Sequence, residues 1–268
     1  MDKINVYNLE GKKKELIDLP KVFLFRPRID LIRWASEVSQ SNKKQAQGRD
    51  PRAGLRNTAE GWGTGHGISR APRLKGSGYP TARNVGRVPF AVGGRRAHPI
   101  KTEKKIDKKL NKKVKRLSII SAISASGNKY WVTKRNHQIN DIPELPLVVD
   151  DKIQTIKKTS KIYSILKNLG LYKELLRVKN KKHIRAGKGK RRGRKYKKPK
   201  GPLIIIKDDF GIVKAARNLP GTDILKIDRL SIDELAPGGS PGRLIIWAQS
   251  AFKELNKYEE YIENGTLL

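Results

Sequence analysis

The stretch 201–248, GPLIIIKDDFGIVKAARNLPGTDILKIDRLSIDELAPGGSPGRLIIWA, decides the fold class. Residues 203–206 (LIII), 224–227 (ILKI) and 244–247 (LIIW) are short, strongly apolar runs, the first and third without a polar residue on either face. Strands of that kind lie inside parallel sheets covered on both sides, whereas half-exposed strands alternate polar and apolar residues. The runs are separated by helical signals: Ser231 and Glu234 have capping-box spacing, and Phe252, Leu255, Tyr258 and Ile262 mark a final helix. The predicted class is α/β, a mostly parallel sheet covered by helices on both sides.

The same reading extends upstream. Residues 146–149 (PLVV) form a further short buried strand. Asp151 with Gln154 predicts a helix start, Ile153, Ile156, Ile162, Ile165, Leu166 and Leu169 its apolar face, and Gly170 its stop, with a brief continuation near Leu175 to Val178. At the start of the chain, 4–8 and 15–19 flank Gly11 as a hairpin. Pro27 is placed to open a helix carrying Ile29, Leu31, Ile32, Trp34, Ala35 and Val38, which runs out near Asn42. A second long helix is expected over 102–126, capped by Thr102, with Ile106, Leu110, Val114, Leu117 and Ile120 on one face and lysines on the other. That lysine face lies either in water or on phosphate.

Between the two long helices runs 43–101, KKQAQGRDPRAGLRNTAEGWGTGHGISRAPRLKGSGYPTARNVGRVPFAVGGRRAHPIK. It has no apolar periodicity, and Asp50 and Glu60 are its only acids. A compact domain seldom carries an unstructured connection this long unless the connection has a role. It cannot bury a core of its own and its like charges repel. A polyanion with stackable bases, that is nucleic acid, would order it. A second segment, 177–200, RVKNKKHIRAGKGKRRGRKYKKPK, contains no acid at all.

The whole chain has 268 residues, 37% hydrophobic and 32% charged, with a formal net charge of +35. Such a charge repels itself and attracts polyanions. The excess lies in 43–101, the lysine-rich stretch and 177–200; from Gly201 onward acids and bases roughly balance. A membrane-surface helix is disfavoured because the basic segments are Gly-rich and lack an apolar face. No run reaches the length of a membrane span, and the first twenty residues lack a secretory apolar core. The absence of Cys excludes disulfides, thiolate metal sites and Cys nucleophiles.

Catalytic signatures fail one by one. Gly61, Gly63, Gly65 and Gly67 suggest a dinucleotide loop, but 65–70 lacks the last glycine of the fingerprint and no strand precedes it. The glycines instead allow close backbone approach to RNA. The segment 187–193 lacks the early Gly and the Ser or Thr of a phosphate-binding loop. The four histidines are scattered, so no metal or other cofactor is expected; His137 reads as ordinary surface. No G-x-S-x-G elbow is present. Asp150-Asp151 and Asp208-Asp209 fall at strand ends, where strand termini with helix caps are preferred over catalysis.

Several stretches taken together resemble the archaeal and eukaryotic branch of the large-subunit ribosomal protein four family. They are 60–65 (EGWGTG), 95–102 (RRAHPIKT), 185–190 (RAGKGK), and 235–239 (LAPGG) followed by Gly242-Arg243. The resemblance implies an α/β body, a long loop penetrating ribosomal RNA, and a loop tip, near 62–75 here, that helps line the polypeptide exit tunnel. The chain ends without the basic C-terminal tail of eukaryotic members, which implies the archaeal type.

The resulting expectation is a single α/β domain over 1–268 with an extended RNA-penetrating loop at 43–101 and an RNA-binding segment at 177–200. Arg49, Arg52, Arg56, Arg70, Arg73, Lys75, Arg83, Arg87, Arg95 and Arg96 are the loop's phosphate-contact residues. Trp62, His66, Tyr79 and Phe90 are its stacking residues, with His98 beside them. Arg185, Lys188, Lys190, Arg191, Arg192, Arg194 and Lys195 serve the second segment. Expected partners are large-subunit ribosomal RNA, neighbouring ribosomal proteins and the nascent polypeptide near the loop tip, in the cytoplasm, with no membrane and no enzymatic activity. The competing readings are a nucleotide-dependent RNA-modifying enzyme and a non-ribosomal nucleic-acid packaging protein.

Overall fold

A computed structural model describes residues 3–259 and 261. The strands and helices in chain order are β1 (Lys3–Tyr7), β2 (Lys13–Asp18), α1 (Ile29–Asn42), β3 (Ala59–Glu60), β4 (Arg73–Leu74), α2 (Lys112–Gly127), α3 (Lys129–Lys134), β5 (Leu147–Val149), α4 (Thr159–Asn168), α5 (Tyr172–Asn180), β6 (His183–Ile184), α6 (Lys188–Arg191), β7 (Tyr196–Lys197), β8 (Leu203–Ile206), α7 (Ile212–Ala216), β9 (Asp223–Lys226), α8 (Ile232–Leu235), β10 (Ile245–Ala248) and α9 (Gln249–Lys253). The chain divides into two compact units. One comprises the residues up to Gln40 together with those from Lys108 on; the other is Ser41–Asp107.

The first unit is built on a six-stranded sheet of order β2-β1-β5-β10-β8-β9. All neighbours are parallel except β1 and β2, which form the expected antiparallel hairpin with Gly11 at a φ of +84°. One row crosses the sheet through Val6, Val148, Trp247, Ile205 and Leu225. Every residue of β5, β8 and β10 is buried, so both faces of the sheet centre are covered, as the unbroken apolar runs predict. Trp247 is fully buried, with Phe23 and Phe252 edge-on to it, each 6.1 Å away between ring centroids.

The helix expected over 102–126 is shorter. It begins at Lys112, and Thr102 caps nothing. Lys104, Lys108 and Lys112, and likewise Lys105, Lys109 and Lys113, would stack like charges at i,i+4, which disfavours helix in the expected first turns. The part that forms is not a one-sided stripe either: Ser118 to Ser126 are all buried. Three of their four hydroxyls donate to carbonyls, Ser118 Oγ to Lys115 (2.7 Å), Ser126 Oγ to Ile123 (2.6 Å) and Ser124 Oγ to Phe25, whereas Ser121 Oγ is buried without a partner among the described residues.

The helix expected from Asp151 to Gly170 is two pieces. Asp150, not Asp151, caps a 3-10 turn at Asp151–Thr155, the chain extends at Ile156, and α4 follows. Adjacent β-branched Thr155 and Ile156 make continuation through this point costly. Gly170 ends α4 as expected, at a φ of +80°. Helix α1 starts at Ile29, two residues past Pro27, and ends at Asn42. Ser231 occupies the N-cap of α8 but makes no side-chain cap bond. The final helix is α9 plus a 3-10 turn at Glu254–Tyr258; Ile262 lies outside the described residues.

Candidate nucleic-acid interface

Within Ser41–Asp107 the regular elements among the described residues are β3 and β4, an antiparallel pair matching Ala59 with Leu74 and Glu60 with Arg73. A third stretch joins β4, Leu74 N–H donating to Asn84 (2.9 Å) and Gly86 N–H to Pro72 (2.9 Å). Ala59 and Gly86 are buried here, and a Cβ on Gly86 would stand 2.9 Å from Leu74 Cδ2. Ala59, Gly86 and the half-buried Leu74 form a small nucleus. Two connections between the three stretches leave it open to solvent.

The first connection, 61–72, carries the glycine series. Gly63, Gly65 and Gly67 have positive φ, and a Cβ on any of them would meet no atom within 4 Å. The glycines therefore set backbone shape rather than making room for a neighbour inside this chain. Trp62 packs edge-on to His66 at 5.8 Å, and the Arg73 guanidinium lies 5.8 Å from the Trp62 ring. Arg73 also donates to the Arg83 carbonyl (3.2 Å) and Ser69 Oγ (3.4 Å). Trp62, His66, Arg73 and Arg83 are thus one cluster, with Trp62 still 43% exposed. In the second connection the Tyr79 hydroxyl donates to the Lys75 carbonyl, pinning Tyr79 back on β4.

Both acids of the stretch have cationic partners. Asp50 pairs with Arg56, and Glu60 with Lys75 at 2.8 Å. The Lys75 bond holds the Glu60 carboxyl below the usual carboxylate range. Arg56 and Lys75 thus have a local partner as well as an exposed position. Arg49, Arg52, Arg70, Arg83, Arg87, Phe90, Arg95, Arg96 and His98 are all exposed, Phe90 at 82%.

The second basic segment is a hairpin. β6 pairs with β7, His183 facing Lys197 and Ile184 facing Tyr196, with the turn α6 between them. Arg185 ties it, its N–H donating to Lys195 (2.8 Å) and its Nε to Arg194 (3.2 Å). Lys188, Lys190, Arg191, Arg192, Arg194 and Lys195 are exposed. The Tyr196 ring, not singled out from sequence, is 50% exposed, with Lys182 Nζ 4.3 Å and Lys195 Nζ 5.6 Å from its centroid. The Lys-Tyr-Lys triplet at 195–197 is the signal that could have found it. Arg177, by contrast, belongs to α5: its Nε and Nη2 donate to Glu174 at 2.7 Å each, so the exposed cations begin beyond it.

His137 is a correction. It is buried, with Nδ1 2.6 Å from Glu174 Oε1. Burial pushes its ring below the ordinary value, against the opposing pull of Glu174, so the neutral imidazole donates from Nδ1. Burial alone would raise Glu174, but bonds from Arg177, His137 and the Gln138 N–H outweigh it and hold the carboxyl down. Arg243 is a further buried charge: it reaches the Gly201 carbonyl (3.1 Å), the Glu234 carbonyl (2.8 Å) and Asp223 (2.5 Å).

The aspartates at the strand ends serve structure. Asp151 Oδ1 accepts from Ser250 N–H (2.9 Å), Ser250 Oγ (2.7 Å) and Gln154 Nε2 (2.7 Å), and Gln154 Oε1 accepts from the Asp208 N–H (2.9 Å). Asp209 Oδ1 accepts from Gly211 (2.9 Å) and Val213 (3.3 Å) at the start of α7. Among the described residues no group of three or more His, Asp or Glu could hold a metal ion, and no helix is long and apolar enough to cross a membrane.

An α/β unit with an exposed cationic hairpin, and a Gly- and Arg-rich unit with rings at its surface, define a class: a basic protein whose chemistry is contact with a polyanion. The sequence model of the Ribosomal protein L4/L1 family matches residues 17–258. Large ribosomal subunit protein uL4 of Methanopyrus kandleri is 42% identical over 252 residues, covering 94% of this chain and 97% of the relative. The proteins of the same name from Methanosphaera stadtmanae and Methanococcoides burtonii are 43% and 44% identical, covering 95% of this chain and 96% and 98% of the relatives. The chain belongs to the ribosomal protein L4/L1 family.

Proposed function

We propose that this protein is a structural, non-enzymatic constituent of the large ribosomal subunit in the cytoplasm, where it binds ribosomal RNA and stabilises its folding and assembly. The observation that carries this reading is the end-to-end similarity to proteins named for that subunit, in a chain whose net charge of +35 is concentrated on exposed segments. In this reading 43–101 is an extended loop that orders on RNA and 177–200 is a second RNA-binding segment of one α/β domain. Arg and Lys neutralise phosphates, while Trp62, His66, Tyr79 and Phe90 stack on bases. The connection 62–75 contributes to the wall of the polypeptide exit tunnel and meets the nascent chain there. Neighbouring ribosomal proteins pack on the body, and no membrane or cofactor takes part.

No observation favours an enzyme. At the carboxyl ends of β5, β8 and β10, where α/β proteins bind ligands, Asp151, Gln154 and Ser250 bond to one another at the edge of an open pocket of about 390 Å³, and its acids carry structural bonds. The test is sedimentation of an archaeal lysate containing the tagged protein through a moderate-salt gradient. The protein should travel with the large subunit. Its absence from that peak even at low salt would reject the ribosomal reading and leave a packaging role.

A further inference from the structure

The 235–243 stretch, LAPGGSPGR, has a role in the body that none of the RNA-binding segments explains. Gly242 sits at a φ of +85°, so close to α3 that a Cβ would be 2.3 Å from the Trp131 carbonyl oxygen. Gly239 packs on α1, its Cβ position 3.4 Å from Ser36 and 3.6 Å from the Arg33 Cα. The carbonyls of Pro237 and Ser240 accept from Arg135, the former at 2.8 Å. The stretch is therefore a frame that orients one guanidinium.

That guanidinium forms the wall of an open basin of about 510 Å³. Arg33, Lys134, Arg135, Arg177 and Lys200 line it, Trp131 supplies a flat side, and no Asp or Glu is among its lining residues. Arg177 and Lys200 have carboxylate partners behind the wall, Glu174 and Asp223. Arg135 bonds carbonyl oxygens instead, and Lys134 lies 5.1 Å from the Trp131 centroid. Burial first, and the charges of Arg243 and Arg177 after it, lower Arg135 to about 10. The missing partner is an anion. Guanidinium forks fit phosphate oxygens two at a time, and an aromatic wall beside them suits a base. An acidic peptide would satisfy the cations but brings no base to set against the Trp131 ring.

We propose that this basin is an RNA-contact site of the body itself, taking a phosphodiester against Arg33, Lys134 and Arg135 with the adjoining base on Trp131. It rests on the RNA-binding reading above, lies outside 43–101, and takes only Arg177, Pro199 and Lys200, the two ends of the 177–200 segment, into its lining.

The test uses the full chain and purified archaeal large-subunit ribosomal RNA. Arg33 and Lys134 are exposed, so the pair R33Q/K134Q should fold, which a matching thermal melt checks. Losing the hold on that one phosphodiester should make the slope of log affinity against log salt shallower by about 0.7–0.9. Ultraviolet crosslinking should place a nucleotide on the peptide 130–134 of the wild type and lose it in the variant. Wild-type RNA binding with an unchanged slope in the variant and no adduct on 130–134 would overturn this site and leave the RNA-binding reading intact. Failure of the wild type to bind RNA would overturn both. Binding of poly-glutamate that depends on Arg33 and Lys134, where RNA binding does not, would assign the basin to an acidic protein instead. An adduct displaced equally by millimolar inorganic phosphate alone would reduce it to a free-anion site and overturn the RNA assignment.

Discussion

His137 and Glu174 are buried partners 37 residues apart in sequence, and together they contribute to the protein's response to acid, alongside lowered carboxylates such as Asp150 and Asp223. Both are held below their ordinary values, 6.5 and 4.5, so the folded state binds fewer protons than the unfolded state and stability rises with pH. The histidine share is present above about 6.5 and is lost as pH falls below it; the glutamate share is lost further down, below about 4.5. The thermal midpoint should therefore fall in two stages between about pH 7 and pH 4. Glu174→Gln should cost roughly 3 kcal/mol at neutral pH, since it leaves Arg177 without its charge partner, and should flatten the lower stage. Thermal unfolding across that range checks both. None of this is legible in the sequence: Arg135-Asn136-His137-Gln138 looks like surface because the carboxylate that buries it arrives from another helix. Arg243 is equally hidden, since Asp223 and Glu234 meet it only once β9 and α8 are in place.

At the scale of elements, strands are the most legible. The run at 203–206 is β8 to the residue, and β5 and β10 lie within one residue of the runs that predict them, because unbroken apolar stretches have no alternative to the sheet centre; β9, with a lysine in its run, is the half-buried edge strand, also within one residue. Helix ends are less so. Apolar spacing over 106–120 is compatible with a helix, yet repulsion among lysines delays its start to Lys112, and spacing says nothing of how deeply Ser118 to Ser126 are buried. The glycine frame at 235–243 is legible only as a family motif; its physical work appears when α3 lies against it. Gly242→Ala should cost roughly 1–3 kcal/mol from the left-handed backbone alone, and more from the displaced Trp131 carbonyl. A lower thermal midpoint, together with a changed environment for Trp131 in fluorescence, is the expected result. An unaltered melt would mean that α3 can shift at little cost.

For the molecule as a whole, affinity for RNA should be governed by salt. Neutralising about 6–10 phosphates makes affinity fall roughly 10³–10⁵-fold between 50 and 200 mM salt on the duplex scale, and filter binding to large-subunit RNA at several salt concentrations measures it. The proposed site is legible in sequence only as composition: the two cationic segments stand out by charge alone. What composition does not reveal is grouping. Trp62, His66, Arg73 and Arg83 form a cluster because a small nucleus of Ala59, Leu74 and Gly86 aligns three short stretches. The basin around Arg135 draws on α1, α3, α5 and two loops, so no window of sequence contains it. The bonds joining Asp151, Gln154 and Ser250 across the strand ends carry a different lesson. They are a seam that stitches neighbouring strand ends together, so damage at that address should register as softening of the scaffold in a thermal melt.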